Sequence, residues 1–236
     1  MKLTVHKAGY RGHADHGWLN TWHSFSFAGY YNPDRMHFGA LRVLNDDTVQ
    51  AGMGFGTHPH DNMEIITIVL EGELEHKDSM GTGSVISPGE VQVMSAGTGI
   101  THSEFNHSQN NEVRFLQIWV FPDKKNVAPR YGQAKFEDEE MSGKWRTVVS
   151  PEGAENTLWI HQQAWFSLGT FEADTKISYQ LKKADSVVYM FLISGEVTVG
   201  GETLISRDGL CLESIDSDIT MKTNKQSKIL VMEIPD

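Results

Sequence analysis

Cysteine is almost missing from this chain: Cys211 is the one copy in 236 residues, so no internal disulfide framework can form. A reducing compartment is the expectation. Long apolar runs are missing as well, and none approaches the ~18 residues that a membrane helix needs. The opening MKLTVHKAGYRGHADHGW lacks the apolar centre of a secretory signal. Positive charge is in deficit, with 20 Lys and Arg against 31 Asp and Glu and a formal charge of -11. That balance disfavours direct nucleic-acid binding, which needs a basic surface to meet phosphates. Helical periodicity is scarce, and Glu137–Gly143 offers one turn at most. What these absences leave is a soluble, cytoplasmic protein made of strands.

Strand signals fill that space. IITIVL (65–70), VQVM (91–94), FLQIWVF (115–121), VVYMFLI (187–193) and ILVMEI (229–234) are short β-branched or aromatic runs separated by turn residues. The chain also echoes itself. Residues 68–90 and 191–209 each run from an apolar strand through Gly-Glu, a second strand and a Gly-rich turn to an Ile-Ser pair. Such self-similarity predicts an all-β protein of two β-barrel (jelly-roll) domains, 1–125 and 126–236, joined by a polar stretch around 122–151.

The histidines are distributed unevenly. Ten of the eleven lie within the first 107 residues, and the other is His161. Two of them flank a proline in GFGTHPHDNME (54–64). Pro59 favours extended backbone at itself and before it, and in a strand residues i and i+2 share a face. His58 and His60 thus leave one face together. SAGTGITHSEFNH (95–107) supplies an answering pair at the same spacing, His102 and Glu104. Three imidazoles and one carboxylate suit a first-row metal with coordination positions left open, whereas a structural zinc site draws mainly on cysteine. A His-x-His alone is more often a pair of ordinary polar strand residues; the second pair turns the balance toward a metal site. Glu64 is also compatible with strand parity as the carboxylate, so spacing alone leaves Glu104 and Glu64 both open.

Gly52-x5-His58-x-His60-x3-Glu64-x7-Gly72 resembles the first cupin motif, and Gly99-x2-His102-x3-Asn106 the end of the second, with Gly97 where that motif usually has proline. THPHDNMEI, HKDSMG, PGEVQVMSAGTGITHSE and LQIW together resemble the pirin family. RGHADHGWLNTWHSFSFAGYYNP and FGALRVLNDD resemble its bacterial, quercetinase-like members. The likeness is dense over 11–121. It implies a bicupin with one divalent metal in the N-terminal barrel, held by His58, His60, His102 and Glu104, with Glu64 in an outer-shell role. Iron(II) is the first choice, with Mn, Ni, Co, Cu or Zn as alternatives. It implies cleavage of quercetin or a related flavonol or phenolic by O2 with release of carbon monoxide, Glu104 serving as ligand and base. The alternatives are a redox-sensing protein that binds a protein partner without turnover, and a cupin isomerase or hydrolase.

The second half offers no equivalent ligand set: Lys182-Lys183 precede Gly195, and no histidine follows Gly209. His161 reads as structural, Cys211 as a buried core residue, and His76 and His107 as exposed and without partners. The N-terminal aromatic and histidine-rich stretch (His13, His16, Trp18, Trp22, His23, Phe25, Phe27, Tyr30, Tyr31, His37) reads as packing on the barrel, with one or two members facing the site. Phe25 and Phe27 alternate as in a half-buried strand.

Overall fold

The computed structural model describes residues 1–154 and 156–236. Among these, the strands form three sheets, and the one α-helix is the single turn Asp138–Met141. No helix among the described residues is long and apolar enough to cross a membrane. A seven-stranded sheet and a four-stranded sheet face each other in the N-terminal half, and a nine-stranded sheet curls into the C-terminal half. The expected runs are all strands: Glu64–Glu71, Glu90–Ser95, Val113–Val120, Ser186–Val199 and Ile219–Pro235.

Period-two patterning decides which side of each strand meets which core. In Glu64–Glu71, Ile66 and Ile68 enter a large apolar core shared by the two halves, with Leu41, Leu116, Val187, Phe191 and Met232. Ile65 points the other way, into the N-terminal barrel, where it meets Met94, Ala96 and Ile100. The C-terminal barrel has its own interior, built from Val188, Met190, Leu210, Met221 and their neighbours. The halves are therefore cemented by sheet-on-sheet burial, which is non-directional and roughly proportional to the apolar area removed from water.

Two strands cross the expected division at residue 125. Lys2–His6 pairs with Gly209–Glu213 in the C-terminal sheet, and Arg130–Lys135 pairs with Glu90–Ser95 in the N-terminal one. The internal echo is real but unequal. Gly72 separates two strands, whereas Gly195 sits in an irregularity within the single strand Ser186–Val199; both adopt positive φ. The SFSFA stretch is not a strand. Regular pairing ends at His23, because Ser26 bonds the Arg35 carbonyl and the Asn32 backbone and draws the chain into a turn.

Candidate metal centre

His58 and His60 lie on Gly54–His60, an edge strand of the four-stranded sheet. Proline cannot donate to a ladder and so belongs on an edge, where Pro59 sits. The neighbouring strand Ile100–Asn106 alternates inward and outward, burying Ile100, His102, Glu104 and Asn106. His102 pairs directly with His58, and Ile100 with His60, so the three imidazoles converge. Their ring centroids are 4.4 to 4.9 Å apart. A bulge between His102 and Glu104 shifts the register so that Glu104 stands opposite Phe55. Gly97 explains the missing proline of the motif: its φ of +50° lies outside the range a proline ring permits.

The polarity of the cluster fits a cation. His58 Nδ1 lies 2.8 Å from the Gly56 carbonyl and donates to it, which leaves Nε2 as a lone pair. His102 Nε2 is buried with no hydrogen-bond partner. An orphaned buried acceptor costs about 1–3 kcal/mol, and a divalent ion bound there would remove that cost. Burial, reinforced by the neighbouring histidines, pushes His102 down to about 2 and His60 down to about 4, so both are neutral and ready to ligate.

Glu104 is buried, and burial raises its carboxyl to about 7 against the opposing hydrogen bond from Gln117. Gln117 Nε2 donates to both carboxylate oxygens at 3.0 and 2.9 Å. Thr67 in turn donates to Gln117 Oε1 at 3.0 Å, which fixes which way the amide faces. Candidate donor groups among the described residues are His58, His60 and His102, and a second set of His76, His102 and Glu104; both lie in the N-terminal half, with His102 common to the two.

Glu64 stands apart from this cluster. It shares the Ile66 face of its strand, where its carboxylate accepts from Ser95 at 2.7 Å, and the outer-shell expectation is corrected accordingly. Burial raises Glu64 to about 7 against the pull of Ser95, the His161 backbone and Arg130. The unfolded carboxyl ionises near 4.5, so the folded state binds more protons between there and pH 7. The Glu64 contribution to stability therefore falls as pH rises through that window. Relative to wild type, Glu64→Gln is expected to gain on the order of 3 kcal/mol between pH 4.5 and 8. Urea unfolding of both proteins at the two pH values measures this; parallel curves would refute the buried, protonated carboxyl.

His76 is the other correction. Far from exposed, it is fully buried, with Nε2 3.1 Å from Asp78 and Nδ1 3.4 Å from His102 Nδ1. Burial opposes the charge on Asp78, but hydrogen bonds from His76 and the Thr82 and Met80 backbones outweigh it and hold the carboxyl below its usual range. His107 is half-exposed and paired with Glu75. His161 packs edge-on against Trp159 and joins neither donor group, and Cys211 is buried against His6, as expected of a core cysteine.

A cavity of about 680 Å³ opens beside the cluster, lined by His58, His60, Glu104, Gln117 and Trp119. The N-terminal stretch contributes more than the expected one or two residues, since His13, His16, His23, Phe27 and Tyr30 all reach this cavity. Phe25 goes instead to the shared core, and Tyr31 is exposed. Trp119 sets its indole edge-on to both His60 (4.9 Å) and Phe27 (5.3 Å), joining the apolar wall to the histidine cluster. Beside the aromatic wall, Asp47 accepts from Thr21, and His23 Nδ1 bonds Asn45 at 2.8 Å.

The family model described as Pirin matches residues 4–120, and that described as Quercetinase C-terminal cupin domain matches 147–234. Over 233 residues the chain is 42% identical to a quercetin 2,3-dioxygenase of Escherichia coli, covering 99% of each. It is 40% identical over 224 residues to a putative quercetin 2,3-dioxygenase of Pseudomonas aeruginosa, covering 94% of this chain and 95% of the other. The crystal structure of an Escherichia coli bacterial pirin in complex with nickel(II) superposes with a TM-score of 0.94 at 40% identity, covering 99% of both chains. With both halves matched in order and the likeness running the length of the sequence, the chain belongs to the pirin family, in its bacterial quercetinase-like branch of the cupins.

Proposed function

We propose that this protein is a metal-dependent dioxygenase that cleaves quercetin or a related flavonol with O2, using one divalent ion held by His58, His60, His102 and Glu104. Iron(II) is the ion this reading prefers, since nitrogen and carboxylate donors with open positions suit it. The observation that carries the reading is the cavity in which His58, His60 and Glu104 meet an aromatic wall. When bound, the ion supplies Lewis acidity that favours the ionised form of a hydroxyl beside it.

The chain's own residues do the rest. Trp119, Phe27 and Phe55 present flat apolar surface to a planar substrate and displace water from it. Glu104, held by Gln117 and poised near neutrality, accepts the proton of the substrate hydroxyl. Gln117 keeps the carboxyl in one orientation, so the base needs no reorganisation when the substrate arrives. Protein loaded with iron(II) without oxygen, then mixed with quercetin and air, is expected to consume O2 in step with flavonol loss. A chelator should stop both. Metal-loaded protein that binds quercetin without consuming O2 would overturn the proposal.

A further inference from the structure

Behind the three histidines lies a row of side chains that this chemistry leaves unused. Asp78 Oδ2 stands 3.1 Å from His76 Nε2, and His76 Nδ1 stands 3.4 Å from His102 Nδ1. The side chains of Asp78 and His76 are wholly buried. The other carboxylate oxygen of Asp78 accepts from the backbone N–H groups of Met80 and Thr82, which pins its orientation. His76 is braced by the Tyr131 ring, 4.8 Å away.

For a neutral His76, this row admits one arrangement of protons. An ionised carboxylate only accepts, so His76 Nε2 carries the hydrogen. A neutral imidazole has a single N–H, so His76 Nδ1 is a lone pair and must accept. His102 Nδ1 then donates, and His102 Nε2 is left as a lone pair. That is the buried nitrogen without a partner. His58 reaches the same state by a simpler route, donating its Nδ1–H to the Gly56 carbonyl. Among the described residues His102 Nδ1 bonds no backbone carbonyl, and the His76–Asp78 pair stands in for one.

We propose that Asp78 and His76 are a positioning relay that sets the tautomer of His102, so that its Nε2 is free to take a metal before any ion arrives. This rests on the reading of His102 as a ligand. His76 is itself no ligand here, because both of its nitrogens are engaged. An imidazole released from such a relay exchanges between two tautomers, one of which carries a hydrogen where the metal must bind. Outer-shell partners of this kind typically matter about 10–100-fold in metal affinity.

The test uses the whole chain with 15N-labelled histidine, free of metal, at pH 8. Long-range nitrogen–proton correlations report which ring nitrogen of His102 carries the hydrogen, and nickel(II) titration reports affinity. Wild type should show hydrogen on His102 Nδ1. His76→Phe should lose that preference and bind nickel about 10–100-fold more weakly. His76→Gln should restore both, since its amide donates to Asp78 and its carbonyl accepts from His102. Asp78→Asn serves as a second probe should the phenylalanine variant not fold, and a shift of the His102 tautomer in it supports the relay. Hydrogen on His102 Nε2 in wild type would overturn the relay, as would a tautomer that ignores both residues. If His76→Gln binds nickel as poorly as His76→Phe while its tautomer is restored, His76 is a ligand and the relay is wrong. A tautomer that shifts as described with nickel affinity unchanged in His76→Phe would instead refute His102 as a ligand.

Discussion

Glu104→Gln should lower flavonol turnover by about 10²–10⁴-fold, the contribution a positioned general base supplies, even with metal restored to saturation. The substitution is nearly isosteric, and the fold has no reason to change. Gln117 Nε2 now donates to both carboxylate oxygens; an amide at 104 offers it one acceptor and turns its own NH₂ elsewhere. What disappears is a group able to take a proton near neutral pH. A neutral amide oxygen can still face a cation, so some metal binding remains. Glu64→Gln is the matched control, since Glu64 lies on the opposite face of the barrel wall against Ser95 and leaves the cavity untouched. It should turn over flavonol at close to the wild-type rate. Steady-state O2 uptake by the two variants, with metal content measured in parallel, decides the matter. A dead Glu64→Gln beside an active Glu104→Gln would place the reacting carboxylate on the strand Glu64–Glu71 instead.

That contrast also shows which features of the site could be read from the sequence. His58, His60 and His102 were legible because strand parity and an edge-strand proline are local rules, and the fold obeys them. The choice between Glu104 and Glu64 was not a matter of parity alone. Glu64 shares the face of Ile66, and whether that face looks inward or toward the second barrel depends on a sheet-on-sheet contact that one strand cannot announce. His76 was missed for a related reason. Its partner His102 is brought close by strand pairing, with His76 directly opposite Glu104. One local signal was present: His76-Lys77-Asp78 has the same i, i+2 spacing as the two candidate ligand pairs, and it places histidine and carboxylate on one face.

The crossing strands make the same point at larger scale. Lys2–His6 has no N-terminal neighbour to pair with and adds to Gly209–Glu213, across more than two hundred residues. Nothing in a pattern of five residues encodes so distant a partner. Arg130–Lys135 falls in the polar stretch that reads as a linker, yet its inward Tyr131 braces His76 and its Gln133 bonds Ser84 and the Val85 carbonyl. Composition described the segment's solvent-facing side correctly and gave no hint of its pairing with Glu90–Ser95.

His102→Ala is expected to weaken metal binding more than any other single change, by more than about 100-fold, because loss of outer-shell partners alone costs about 10–100-fold. Geometry singles this residue out. His102 belongs to both groups of converging donors, faces His58 across the strand pair, and holds the one ring nitrogen of the cluster that is buried without a partner among the described residues. The barrel should survive. Truncating a large buried side chain costs about 2–5 kcal/mol in apolar cores, but here the change also removes an unsatisfied nitrogen, which offsets part of that loss. His102 is not a member of the extensive apolar core shared by the two barrels. Far-UV circular dichroism of the metal-free variant should therefore match wild type, while nickel(II) or iron(II) titration shows the affinity gone. His161→Ala, altered at a histidine that packs on Trp159 and joins neither donor group, should bind metal as wild type does. Full metal occupancy in His102→Ala would move the centre to other residues. An unfolded metal-free variant would mean that this corner of the barrel is held by His102 itself, as part of the buried row with His76 and Asp78, and that ligation and folding cannot be separated there.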